Sequence, residues 1–69
     1  MTASQAASKV RNAIKKTGTN PKGLVSVRNT DFTTELEIDL RYLSEDDRDN
    51  VCLVIDEIEE SDFSFNVDY

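Results

Sequence analysis

FTTELEIDLR, residues 32–41, is the stretch that decides the fold. Phe32, Thr34, Leu36, Ile38 and Leu40 alternate with Thr33, Glu35, Glu37, Asp39 and Arg41. A period of two belongs to a β-strand with one face on a core and the other in water. The strand needs a partner, and the chain supplies one just upstream. Val25 and Val27 alternate with Leu24, Ser26 and Arg28, and Asn29-Thr30-Asp31 supplies turn residues. A two-residue turn at Thr30-Asp31 sets Val27 opposite Thr34 and Val25 opposite Leu36, apolar against apolar, in a hairpin.

Working outward, Ser44 followed by Glu45, Asp46 and Asp47 has the form of a helix start, its acids complementing the helix dipole. Val51, Val54, Ile55 and Ile58 then recur at helical spacing, with Cys52 at the margin. Residues 51–55 read alone as a short apolar run that also suits a buried strand; the cap before them and the charged Asp56, Glu57, Glu59 and Glu60 after them favour a helix. Phe63, Phe65, Val67 and Tyr69 alternate with Asp62, Ser64, Asn66 and Asp68 as a half-buried last strand. At the other end Thr2 and Gln5 fit a capping box, and Ala3, Ala6, Ala7, Val10, Ala13, Ile14 and Thr17 form a stripe of mostly small residues closed by Gly18. Residues 19–23 read as a loop. The order is α-β-β-α-β, a two-layer α+β domain spanning residues 1–69: two helices on one face of a three-stranded, mainly antiparallel sheet. A crossover through the second helix is expected to bring the last strand beside the first, in the order 3-1-2.

Composition narrows the chemistry. The chain has 69 residues, no His and one Cys. Cys52 therefore has no internal disulfide partner and reads as a small core residue rather than a nucleophile. There is no phosphate-binding glycine loop, nucleophile elbow or Cys-x-x-Cys pair. We expect no enzymatic activity, no catalytic residue and no cofactor. Residues 45–49 are acidic enough to suggest calcium but lack the alternating oxygen ligands and turn glycine of an EF-hand loop, so no metal is expected. No apolar run approaches a membrane span, and a reducing, cytoplasmic setting suits the chain. Residues 1–16, basic and rich in Ser and Ala, superficially suit a transit peptide, yet they serve better as a structural helix.

Charge is divided along the chain. Residues 1–30 hold Lys9, Arg11, Lys15, Lys16, Lys22 and Arg28 and no acid, for +6; residues 31–69 hold fourteen acids against Arg41 and Arg48, for −12. Glu35, Glu37 and Asp39 form a ladder along one strand at intervals of about 6.8 Å, comparable with the phosphate repeat of a nucleic-acid strand; Asp62 and Asp68 are expected to project from another strand on the same face. On the second helix Leu53 is an apolar point among Asp49, Asp56, Glu57 and Glu60, the form of a small interface with a charged rim. Glu35, Glu37, Asp39, Asp49, Leu53, Asp56, Glu57 and Glu60 are the candidate partner-binding set, and the expected partner is a larger basic protein, one that handles nucleic acid. Three other readings stand beside it: an ordinary solvated sheet face, a homodimer through Leu53, and a nucleic-acid binder through the basic first helix. The cations flanking that helix's stripe, Lys9 and Lys16 on one side and Arg11 and Lys15 on the other, are expected to meet the acids of the second helix rather than nucleic acid.

In size, acidity, lack of catalytic residues and economy of elements, the chain resembles the small proteins that phages and mobile elements use against host defences, anti-CRISPR proteins among them. That resemblance implies a non-enzymatic inhibitor acting in a host cytoplasm. Ser8-Lys9-Val10-Arg11, Val25-Ser26-Val27-Arg28 and Glu37-Ile38-Asp39-Leu40 are also similar to segments of the small domains associated with large polyvalent proteins, although Asp39-Leu40-Arg41-Tyr42 stands where those domains carry a Trp-centred segment. Neither resemblance assigns a functional residue.

Overall fold

The computed structural model describes residues 1–58 and 63–69. Its elements run α1 (Ala3–Lys16), β1 (Val25–Asn29), β2 (Thr34–Asp39), α2 (Glu45–Glu57) and β3 (Phe63–Asp68), the expected α-β-β-α-β order. The apolar stretch at residues 51–55 is helical.

Both helices start on side-chain caps. Thr2 accepts from the Gln5 amide while the Gln5 side chain accepts from the Thr2 amide, completing the capping box. Ser44 accepts from the Asp47 amide, and Glu45, Asp46 and Asp47 occupy the first turn of α2. Gly18, at φ +90°, ends α1, its amide donating to Lys15. Gly23, at φ +80°, occupies the third position of a turn closed by the Leu24 amide on Pro21, where the backbone needs a positive φ.

Ala6, Ala7, Val10 and Ile14 of α1 are buried against Val25 of β1, Leu36 and Ile38 of β2, and Val51 and Ile55 of α2. Leu40, Leu43, Ile58 and Phe63 complete this core. Alanines at the contact let α1 lie close over β1 and β2, with α2 alongside it. Cys52 and Asp56 of α2 lie near Tyr69, just past the end of β3.

Three expectations are corrected. The sheet order is β1-β2-β3 rather than 3-1-2, with β1–β2 antiparallel and β2–β3 parallel, so the sheet is mixed. The crossover through α2 returns the chain to the start of β2, and β3 pairs directly with it. This centres the strand whose Leu36 and Ile38 are both fully buried, shielding it on both edges. The hairpin register is also shifted by two: Val25 faces Ile38, Val27 faces Leu36 and Asn29 faces Thr34. Its loop is consequently Thr30–Thr33, organised by Thr30, whose hydroxyl accepts from the amides of Phe32 and Thr33 and donates to the Thr33 carbonyl. The third correction follows from the second. Phe32 does not begin the core face of β2; it stands at the hairpin tip, 95% exposed.

Candidate functional site

The outer face of the sheet is built from every second residue of three strands. Ser26 and Arg28 of β1, Glu35, Glu37 and Asp39 of β2, and Ser64, Asn66 and Asp68 of β3 share it, opposite the buried Leu36 and Ile38. The three ladder acids are thus brought together as expected. Because β3 lies beside β2, Asp68 falls directly opposite Asp39 and extends the acidic row sideways.

The row is partly neutralised from within. Arg28 reaches diagonally to Glu37, Nη1 to Oε1, at 3.4 Å. Arg41 grips Asp39 with both Nε and Nη2 at 2.9 Å, and its backbone amide donates to the same carboxylate at 3.0 Å. These hydrogen bonds, first the guanidinium and then the amide, hold the Asp39 carboxyl down at about 2, and they raise Arg41 in return. Arg41 also feels Asp68 and lies 5.8 Å from the Tyr42 ring centroid. Among the described residues Glu35 has no cation within ion-pairing distance. Glu37, Asp39, Asn66 and Asp68 border a shallow groove of about 240 Å³ with Gly23 and Leu24 at its rim.

The outer face of α2 is the second half of the candidate set. Asp49, Leu53, Asp56 and Glu57 are all exposed, Leu53 by 62%. Glu60 and Asp62 lie outside the described residues. Tyr69, 69% exposed, lies near Cys52 and Asp56 of α2; the pKa of its phenol is raised by charge repulsion with Cys52 and by their hydrogen bond, with burial and Asp56 adding to the effect. Sequence reasoning missed the exposed aromatics Phe32, Tyr42 and Tyr69. Periodicity assigned Phe32 and Tyr69 to the core face, and no pattern marked Tyr42.

Between the helices runs a larger groove of about 500 Å³, with Ala13 and Val54 as apolar wall and Lys9, Lys16, Asn12, Asn50, Thr17 and Asp47 as polar lining. Lys9 and Lys16 thus face α2 across a gap, and no α1–α2 ion pair forms within 4 Å among the described residues. Arg11 turns the other way and donates to the Val25 carbonyl at 3.2 Å, covering the outer edge of β1. The expected meeting of α1 cations with α2 acids is therefore a shared groove rather than direct pairing. Among the described residues no group of three His, Cys, Asp or Glu converges as a metal site, and no helix is long and apolar enough to cross a membrane.

Compared with protein-family models, curated proteins and solved structures, the chain matches none.

Proposed function

We propose that this domain is a non-enzymatic protein-binding module whose acidic surface occupies a basic, nucleic-acid-handling site on a larger protein, in the manner of a phage or mobile-element inhibitor. The observation that carries the reading is the position of β3. It sets Asp68 beside Asp39 on the sheet and brings Tyr69 near Asp56 of α2, so we read the sheet acids Glu35, Glu37 and Asp68 and the exposed α2 acids Asp56, Glu57 and Asp49 as one acidic band. Leu53 and Tyr69 supply exposed apolar points within it. Charge of one sign steers a basic partner over distance, and desolvated apolar centres hold it.

The test is affinity capture from cell lysate with tagged protein. A basic protein is retained and eluted by salt, with no added metal or nucleotide. Glu35→Lys with Glu37→Lys abolishes its capture, and Leu53→Asp weakens it by about 2 kcal/mol or more. Nonspecific charge attraction would survive or strengthen in Leu53→Asp, so unchanged capture by both variants overturns the reading.

A further inference from the structure

The free edge of β3 lies where the two acidic surfaces meet, and the ladder phase shows which of its groups are available. The Leu40 amide donates to the Asp68 carbonyl at 2.8 Å, so the main-chain groups of Asp68, and by alternation those of Asn66 and Ser64, point toward β2. The amides and carbonyls of Phe63, Phe65 and Val67 accordingly point away from the sheet. Among the described residues no strand pairs with them.

Edge strands are usually guarded by lysine, proline, a bulge or a covering side chain. The other edge follows that rule, since Arg11 covers the Val25 carbonyl of β1. Phe63–Asp68 contains no Lys, Arg or Pro. Its core-facing Phe65 and Val67 are only half-buried, and Tyr69 and Leu53 beyond them are exposed. Acids flank the edge on both sides, Asp68 on the sheet face and Asp56 near Tyr69 on the helix face.

We propose that this edge is the docking line itself: an extended basic segment of the partner protein adds to the sheet as a fourth strand beside β3. The inference rests on the acidic-band reading and names the part of the partner that is bound. Main-chain bonds to Phe65 and Val67 supply register-locked affinity, as in other cases of strand addition. Alternate side chains of the incoming strand then face opposite ways. Cations on one face meet Asp68, and apolar or cationic groups on the other meet Val67, Tyr69 and Asp56. A second copy of this chain fits less well, because a two-fold axis through β3 would set two acidic α2 faces side by side.

The test uses a blocked peptide of alternating lysine and valine, with its glutamate–valine counterpart as control, and amide hydrogen exchange read by NMR. In the free protein the Asn66 and Asp68 amides exchange slowly and those of Phe65 and Val67 quickly. Adding the lysine peptide protects Phe65 and Val67, whereas the glutamate peptide does not. N-methylation of the Val67 amide, in a chain synthesised and ligated at Cys52, removes one outward donor without disturbing the β2 ladder and weakens peptide binding about tenfold. Binding that shifts Glu35 and Glu37 but leaves the Phe65 and Val67 amides fast overturns strand addition and spares the acidic-band reading. Absence of lysine-peptide binding, or equal binding of the glutamate peptide, also overturns it. Protection that grows with protein concentration alone assigns the edge to a second copy instead.

Discussion

At the scale of single residues, the clearest contrast is between Phe32 and Leu36, which periodicity places on one face. Leu36 is fully buried between the helices and the sheet, and Leu36→Ala should cost about 2–5 kcal/mol through lost transfer energy and the cavity left behind. Phe32 stands in water, so Phe32→Ser should change stability by no more than about 0.5 kcal/mol; urea unfolding of the two variants checks both. Asp39 makes a second test. Its folded carboxyl titrates near 2, below its ordinary value of 3.8. The charged form is thus the one favoured by folding, and its contribution is present above about pH 4 and fades as pH falls through 2. The pair with Arg41 is open to solvent, so that contribution is small. NMR titration of the Asp39 carboxyl should give a midpoint near 2, returning toward 3.8 in Arg41→Ala.

At the scale of elements, the caps and stripes of both helices were legible before any fold was known, because Thr2, Gln5, Ser44 and Gly18 act on their own neighbours in the chain. Ser44→Ala should therefore destabilise the domain by about 1 kcal/mol, measurable by thermal or denaturant unfolding. The hairpin was legible only in part. Sliding β1 against β2 by two residues leaves every side chain on its original face, so the hydrophobic pattern cannot tell the two registers apart. The Thr30 hydrogen bonds of the longer loop choose between them. The ladder Glu35, Glu37, Asp39 was visible as a row, but its pairing with Arg28 and Arg41 was not, since the Arg28–Glu37 diagonal depends on that register. For the charge reversal at Glu35 and Glu37, circular dichroism should show the fold retained, because both side chains lie on the outer face.

At the scale of the whole molecule, net charge of −6 and the acidic outer face of α2 oppose self-association. Sedimentation should find a monomer up to high micromolar concentration; a concentration-dependent doubling of mass that Leu53→Asp abolishes would establish the homodimer in its place. Gel-shift titration with duplex DNA should show no complex even at low salt, because Arg11 is committed to β1 and Lys9 and Lys16 face the interhelical groove. The sequence by itself determined the five elements, most of their buried faces, though not the exposure of Val27 in β1, and the division of charge, because periodicity, capping and composition act over a few residues. Tertiary structure alone decided which strand stands at the centre, where the hairpin turns, which acids keep their charge unpaired and which edge is left open. The turn depends on the Thr30 hydrogen bonds, which the hydrophobic pattern does not record, and the other outcomes depend on segments far apart in the chain. Covering Leu36 and Ile38 from both sides draws β3 to β2, and that one placement sets Asp68 beside Asp39 and leaves the outward amides of Phe65 and Val67 at the border of the acidic band.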